Sequence, residues 1–363
     1  MVAREVAAAG ITLLRNEGGL LPLDTGRLRR IAVLGPTARQ RNCLPLWGGS
    51  AGVWPPHEIT PEAGIREALA GTAEIVDQPA GADAAIVCVG LSHRLGRDSE
   101  GVDRKHFDLP ASQQQLIRET AAVNPNTVVV LVAGGPVSMD WADDAAAILV
   151  AWYPGMEGGR AIADVLTGAV NPSGRLPVTF PRRLADSPAH RSPRTFPGDG
   201  HEVLYQEGIF VGYRHFDRQQ IAPLFPFGHG LSYSEFEYGD LQVEHARWEG
   251  EGALGVSLTL TNRGDRDGAE VVQLYLGDPE SSVPRPPREL RAFEKRFLRA
   301  GESARIRFEL RVRDLAWFCE SPSGWRAEPG AFDVEVGASS RDIRLRGRFE
   351  LVKDWFLAVG PII

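Results

Sequence analysis

The segment GRDSEGVDR, residues 96–104, contains side chains that could do acid–base chemistry. It holds Asp98, Glu100 and Asp103 and comes four residues after the apolar run AAIVCVGL. A carboxylic acid can donate a proton near neutral pH when burial or a nearby negative charge raises its pKa. The segment also lies just beyond the carboxyl end of a predicted strand, and open α/β sheets bind ligands outside the carboxyl ends of their strands. We therefore interpret it as a candidate catalytic loop, with a solvated acidic turn as the alternative.

Glu100 is the candidate proton donor of this loop. Its neighbours Ser99 and Gly101 are small, so the loop can bring the carboxyl group close to a ligand. Asp103 lies next to Arg104, and this arrangement is typical of an ion pair that stabilises a loop rather than of a reacting group.

A second segment, LWGGSAGVWPP at residues 46–56, combines two tryptophans with a glycine-rich turn around Ser50. Flat aromatic faces beside exposed backbone suit the C–H faces and hydroxyl groups of a sugar. Two tryptophans at the rim of a core, flanking an ordinary loop, explain the same residues equally well.

Cofactor chemistry has no support in the sequence. The eight histidines form no HExxH or other close ligand pair, and the three cysteines lack CxxC spacing, so neither a metal site nor a disulfide framework is predicted. Glycine-rich turns follow predicted strands at Gly35, Gly134 and Gly155, but they complete no GxGxxG or phosphate-loop signature. We therefore expect no nucleotide, metal or other cofactor.

Composition disfavours several classes of partner. The 363 residues are 43% hydrophobic and 24% charged, as in globular proteins, and they are enough for two domains. A net charge of −7 disfavours nucleic acid and anionic membrane, because both favour a basic surface. No apolar run is long enough to span a bilayer, and residues 1–19 predict a helix rather than a signal peptide. We therefore expect a cytoplasmic protein.

The first half of the chain alternates predicted strands and helices. The strands are short, apolar on both faces and rich in β-branched residues, and they cover residues 30–36, 84–91, 127–134 and 146–155. Helical patterns occur at residues 60–71, 110–123 and 159–168. Strands that are buried on both faces are typical of parallel sheets, so we predict a predominantly parallel α/β sandwich over residues 1–180.

The rest of the chain changes character twice. Residues 181–237 begin with a proline-rich stretch and show no clear period, which predicts a linker and inter-domain segment. In residues 238–363, apolar residues alternate with small or polar ones, for example over residues 254–260 and 304–310. This alternation predicts the half-buried strands of an antiparallel β-sandwich.

Five long strings of the sequence carry a family resemblance. They are SEGVDRKHFDLPASQQQLI, AWYPGMEGGRAIADVLTGAVNPSGRLPVTFP, YQEGIFVGYRHFD, PLFPFGHGLSYSEFEY and VVQLYLGDPESSVPRPPRELRAFEKRFL. Together they closely resemble the C-terminal half of glycoside hydrolase family 3 β-glucosidases. The resemblance extends from about Ala3 to the end of the last sandwich and covers nearly the whole chain.

The resemblance implies an α/β sandwich followed by an immunoglobulin-like, fibronectin type III-like domain, and in the family both follow a (β/α)8 barrel. It also implies a retaining mechanism, in which an Asp of the barrel attacks the anomeric carbon while a Glu protonates the leaving oxygen and later deprotonates water. In many members that Glu lies in an E-G-x-D-R loop, which here is residues 100–104. Glu100 is thus implied to be the acid/base, and Ser50, in the Gly-Gly-Ser loop of the family, a substrate contact.

No part of the sequence resembles the barrel. Asp98 and Asp103 lie on the same segment as Glu100, so they cannot flank a sugar ring from its opposite face. We expect a β-glucosidase-like hydrolase of β-linked glucosides or oligosaccharides that is inactive alone and is completed by a barrel supplied upstream or in trans. Its surface around residues 45–56 and 96–104 should then expose apolar groups that the barrel covers. A non-catalytic carbohydrate- or protein-binding module derived from such an enzyme, or an inactive fragment, is the alternative.

Overall fold

A computed structural model describes residues 2–43, 52–93 and 96–359 of the chain. These residues form two compact units. The first unit contains the described residues up to Leu184 together with Pro223–Phe225 and His229–Tyr233, and the second unit contains the others. The domain boundaries that we predicted from the sequence stay a prediction.

The first unit alternates helices with strands. Its helices are α1 (Val2–Gly10), α2 (Pro61–Ala68), α3 (Ala111–Val123) and α4 (Gly158–Thr167). Its strands are β1 (Thr12–Asn16), β2 (Arg30–Leu34), β3 (Glu74–Val76), β4 (Ala84–Gly90), β5 (Thr127–Val132) and β6 (Ala147–Val150). Local sequence explains the helix ends: the Thr60 hydroxyl accepts a hydrogen bond from the Ala63 N–H at the start of α2, and Gly168 adopts a left-handed conformation after α4.

The strands form one six-stranded sheet in the order β1-β6-β5-β4-β2-β3. Strand β1 is antiparallel to β6, and all other neighbours are parallel. The predicted predominantly parallel α/β sandwich is thereby confirmed. The chain passes from β2 to the edge strand β3 and then returns to β4 on the other side of β2. The direction of winding therefore reverses between β2 and β4, which leaves a crevice at the carboxyl ends of these strands.

Strand β1 corrects the prediction for the N-terminal segment. The sequence predicted a helix over residues 1–19, but α1 ends at Gly10, and β1 pairs with β6. Leu13 and Leu14 are buried on opposite faces of the sheet. The apolar residues of this segment therefore belong to two different elements, and a short apolar run does not by itself distinguish a helix from a buried strand.

Both faces of the sheet are covered. In β4, Ile86 and Cys88 point into the core beneath α1, α2 and α4, whereas Val87 and Val89 point into the core beneath α3. Successive residues of a strand point to opposite faces, so a strand that is buried on both faces must be apolar at every position. All residues of β4 are accordingly buried.

Helices α2 and α4 approach each other so closely that glycine is required at their contact. A Cβ atom on Gly64 would lie 2.1 Å from the main-chain oxygen of Gly159. A Cβ atom on Gly159 would lie 2.0 Å from the main-chain oxygen of Thr60. Both distances are far below van der Waals contact, and the atoms that would clash belong to the backbone and cannot rotate away.

We predict that Gly159→Ala lowers the free energy of unfolding by about 3 kcal/mol, because the added methyl group forces α2 and α4 apart. Gly10→Ala is the matched control, since a Cβ atom there would meet nothing within 4 Å. The control should change stability by less than about 0.5 kcal/mol. Urea denaturation measures both values, and equal stability of the two variants would contradict the close contact.

The second unit is mainly β, with the short helices α5 (Tyr213–Arg218) and α6 (Val312–Leu315). Its strands are β7 (Phe236–Val243), β8 (Arg247–Trp248), β9 (Leu254–Asn262), β10 (Gly268–Gly277), β11 (Glu289–Leu298), β12 (Ser303–Leu310), β13 (Trp317–Glu320), β14 (Ser323–Ala327), β15 (Gly330–Gly337), β16 (Ile343–Leu351) and β17 (Trp355–Ala358). They form a five-stranded sheet, β11-β10-β15-β16-β8, and two three-stranded sheets, β12-β9-β7 and β13-β14-β17.

Alternating burial explains this second architecture. In β12, Ile306 and Phe308 are buried, whereas Arg305 and Arg307 are exposed. The inward residues of β9, β10, β12, β15 and β16 contribute to one apolar core, so the predicted β-sandwich is confirmed. Within the described part of the chain, no helix combines the length and apolar character that crossing a membrane requires.

Candidate active site

The loop 96–104 lies at the edge of the first unit where the parallel strands end. Strand β4 leads into it, and the segments that follow β5 and β6 contact it. Residues 94 and 95, between β4 and the loop, lie outside the described residues. The loop is thus at the edge that ligands occupy in open α/β sheets.

Asp98 is the acid of this loop that faces the sheet. Its Oδ2 accepts hydrogen bonds from the Gly134 N–H at 2.7 Å and from the Tyr153 hydroxyl at 2.9 Å. Gly134 follows β5 and Tyr153 follows β6, so one carboxylate joins the ends of three neighbouring strands. Only 12% of the Asp98 side chain is exposed. The two hydrogen bonds offset the cost of burying this carboxylate.

Arg104 holds the other end of the loop. Its Nε lies 3.6 Å from Asp98 Oδ1, and its Nη2 donates to the main-chain oxygen of Pro136 at 2.8 Å. The interpretation that Asp103 stabilises the loop through Arg104 is therefore wrong, because Asp103 is exposed and Asp98 pairs with Arg104 instead. No local signal could have identified Asp98, since its two hydrogen-bond donors are 36 and 55 residues away along the chain.

The loop presents Glu100 two residues beyond Asp98. The Asp98 N–H donates to the main-chain oxygen of Ser92 at 3.1 Å. This hydrogen bond constrains the backbone that leads to Glu100. Gly101 follows with φ +81°, a left-handed conformation that favours glycine, and a Cβ atom there would meet nothing within 4 Å. Glu100 itself is exposed. An exposed carboxyl group at this edge can reach a ligand.

The second predicted segment is only partly described. Ser50, the predicted substrate contact, and Trp47 lie outside the described residues. Val53 and Trp54 are 56% and 78% exposed, and Val102 in the loop 96–104 is 41% exposed. Both segments therefore expose apolar side chains among their described residues.

Arg97 of the loop lines two clefts. The larger cleft, of about 680 Å³, is also lined by Gly35 after β2 and by Ser92 after β4, and so lies where the winding of the sheet reverses. The smaller cleft, of about 380 Å³, is basic and is lined by Lys105 and His106 among others. Among the described residues, no group of three or more His, Cys, Asp or Glu side chains could hold a metal ion.

Comparison with known protein families identifies both units. The Glycosyl hydrolase family 3 C-terminal domain matches residues 11–213, which is more than half of the chain. The chain belongs to glycosyl hydrolase family 3. The Fibronectin type III-like domain matches residues 270–340, which lie in the β-sandwich. The resemblance that the sequence motifs indicated is thereby confirmed.

Family 3 relatives are similar over most of the chain. Thermostable beta-glucosidase B of Acetivibrio thermocellus is 38% identical over 374 residues, which cover 95% of this chain and 47% of that protein. A beta-glucosidase of Rhizobium radiobacter is 42% identical over 319 residues, which cover 87% of this chain and 39% of that protein. The chain thus spans about half the length, or less, of these curated relatives.

Solved family 3 structures share the fold. The GH3 beta-glucosidase of Bifidobacterium adolescentis superposes with a TM-score of 0.88 at 36% identity, covering 96% of this chain and 53% of that one. The beta-glucosidase of Kluyveromyces marxianus superposes with a TM-score of 0.90 at 26% identity, covering 98% of this chain and 62% of that one. Nearly all of this chain is therefore family 3 structure.

The Tyr153 hydroxyl gives the site a measurable pH dependence. Burial, together with the neighbouring Asp98 carboxylate, raises the pKa of Tyr153 far above its ordinary value. The folded state keeps this hydroxyl protonated at pH values where the unfolded chain ionises. Its contribution to stability is therefore complete below about pH 10 and is lost as the pH rises further.

We predict that Tyr153→Phe lowers the free energy of unfolding by about 1–3 kcal/mol near neutral pH, because a hydrogen bond to a carboxylate is lost. Above about pH 10, the difference between the wild type and this variant should shrink. Denaturant titrations at both pH values measure this. Tyr205→Phe is the control, since Tyr205 is 81% exposed, and it should match the wild type throughout. A constant difference between wild type and Tyr153→Phe would contradict the assigned pKa shift.

Proposed function

We propose that this chain supplies the proton-transfer half of a retaining β-glucosidase, with Glu100 as the acid/base. The observation that carries the proposal is the position of Glu100, exposed in an E-G-x-D-R loop at the ligand-binding edge of the sheet. The chain belongs to family 3, and its relatives are named β-glucosidases. Both facts support the hydrolysis of glycosidic bonds as the reaction class. The substrates are β-linked glucosides or oligosaccharides, and Ser50 is a proposed substrate contact.

Glu100 would act twice in this reaction. As an acid it protonates the glycosidic oxygen while a carboxylate nucleophile attacks the anomeric carbon, and the leaving group departs as an alcohol. As a base it then removes a proton from the water that hydrolyses the glycosyl-enzyme ester, which restores both carboxyl groups. In retaining enzymes the two carboxyl groups are about 5 Å apart on opposite faces of the sugar.

The nucleophile must come from outside the loop 96–104. Asp98 is held by Gly134 and Tyr153, and Asp103 lies on the same segment as Glu100. We propose that a (β/α)8 barrel carries the nucleophile, either upstream in the same protein or on a separate chain. This chain covers only about half of each relative, which supports the proposal that the nucleophile lies on a part of the enzyme outside it.

We predict no turnover of an aryl β-glucoside by the 363-residue chain alone. Joining it to the part of Thermostable beta-glucosidase B that it does not cover should restore hydrolysis. In the joined enzyme, Glu100→Ala should lower kcat by about 10²–10⁴-fold, the usual contribution of general acid–base catalysis. With a substrate that has a good leaving group, azide should rescue this variant and give β-glucosyl azide, because azide needs no general base.

The control for this experiment is Asp103→Ala, the exposed acid of the same loop, which should keep most of the activity. Hydrolysis by the chain alone would overturn the division of the site. Full activity of Glu100→Ala in the joined enzyme would overturn the role of Glu100.

The exposure of Trp54 favours a second candidate function, a non-catalytic carbohydrate-binding module. An exposed indole is a suitable platform for a sugar ring, and 78% of Trp54 is accessible. This alternative requires saturable binding of cellobiose to the chain alone, detected by tryptophan fluorescence and lost in Trp54→Ala. Under our proposal the chain alone binds no more tightly than millimolar, because it lacks the opposite wall of the sugar site.

A further inference from the structure

The residues that hold the loop 96–104 form a compact polar cluster at the sheet edge. We define the Asp98 cluster as Asp98, Arg104, Gly134 and Tyr153, which are joined by the contacts of 2.7, 2.9 and 3.6 Å described above. Asp98 and Arg104 are 12% and 23% exposed at their side chains. The Asp98 and Arg104 side chains are thus largely buried, whereas Glu100, which lies between them in the chain, is exposed.

Further contacts connect the Asp98 cluster to the segments around it. The His93 ring lies against Tyr153, with centroids 4.1 Å apart, and its Nδ1 donates to the main-chain oxygen of Asp98 at 3.2 Å. A Cβ atom on Gly134 would lie 3.2 Å from the Tyr153 ring and 3.5 Å from Asp98 Oδ2. The side chain and both main-chain polar groups of Asp98 therefore have partners on the sheet side of the loop.

We propose that Asp98 is a positioning residue for proton transfer. It fixes the backbone two residues before Glu100 to the ends of β5 and β6, and so holds the Glu100 carboxyl group at one distance from the glycosidic oxygen. The inference rests on the proposed function of Glu100. Asp98 touches no reacting atom in this scheme, and its effect passes through the loop backbone and the pair with Arg104.

The rate of proton donation is more sensitive than the affinity for substrate to the exact position of the donor. A displacement of about 1 Å in a reacting group can lower a rate by about 10²-fold. A substrate with a poor leaving group needs the proton, whereas a dinitrophenyl glucoside releases dinitrophenolate, a stable anion, without it. If Asp98 positions Glu100, the fall in rate on its removal should therefore be larger for substrates with poor leaving groups. If Asp98 is merely structural, its removal should lower the rates for all substrates alike.

The first arm of the test uses the joined enzyme described under the proposed function. Asp98→Ala should lower kcat/KM for methyl β-glucoside by about 100-fold, and that for dinitrophenyl β-glucoside by less than about 3-fold. Tyr153→Phe, which removes one of the two donors to Asp98, should show the same selectivity at about 5-fold. Asp103→Ala is the matched control on the same loop and should show none.

The second arm uses the 363-residue chain and needs no activity. The Gly134 N–H donates to Asp98 Oδ2, so its hydrogen exchange, followed by NMR, reports the contact directly. Exchange should accelerate by about 10-fold or more in Asp98→Ala and should not change in Glu100→Ala. Should Asp98→Ala fail to fold, Tyr153→Phe and Asp98→Asn carry both arms.

The outcomes separate this inference from the function on which it rests. If Glu100→Ala shows no dependence on the leaving group, the proposed function fails, and the positioning role fails with it, even where Gly134 exchange is accelerated. If Glu100→Ala shows that dependence but Asp98→Ala lowers both rates equally or neither, only the positioning role is overturned. Unchanged exchange of Gly134 in Asp98→Ala overturns the contact itself.

Discussion

The parallel arrangement of β4, β5 and β6 is the constraint on which the candidate active site depends. Parallel strands end at the same edge of a sheet, so residues that follow them meet although they are far apart along the chain. Gly134 and Tyr153 reach Asp98 for this reason. In an antiparallel sheet, the residues that follow two neighbouring strands would lie at opposite edges, and one carboxylate could not bind donors from both.

The sheet that carries this edge is packed against an apolar core on each of its faces. A shift of these strands by one residue would exchange the side chains that face each apolar core and disrupt the close packing of both. The backbone contact between Gly64 and Gly159 fixes α2 against α4 in the same way. A buried carboxylate is tolerated at such an edge because amide and hydroxyl donors are held in place before it binds them.

The second unit carries charge on the outer faces of its strands and also in buried ion pairs, such as Arg285 with Asp278 at 3.0 Å. Its strands carry ion pairs on their outer faces, for example Arg346 with Glu335 at 3.1 Å. Exposed or partly exposed pairs of this kind contribute little to stability, so the sandwich depends mainly on its apolar core. In the first unit, the mostly buried acid Asp98 holds a loop that exposes a second acid, Glu100.

The sequence by itself determined the position of the central strands, the change to alternating strands in the last third and the family, and it also supplied the proposal of Glu100 as acid/base. Strands that are buried on both faces need apolar residues at every position, and half-buried strands need alternation, so both leave a local pattern. The predicted strand 146–155 was too long, because β6 ends at Val150 where its pairing ends, although the apolar run continues. Only the tertiary structure decided that residues 12–16 form a strand and that Asp98, rather than Asp103, holds the loop. Three acids within six residues look alike in sequence. What distinguishes Asp98 is contact with residues 36 and 55 positions away, and such contacts exist only once the sheet has brought its strand ends together.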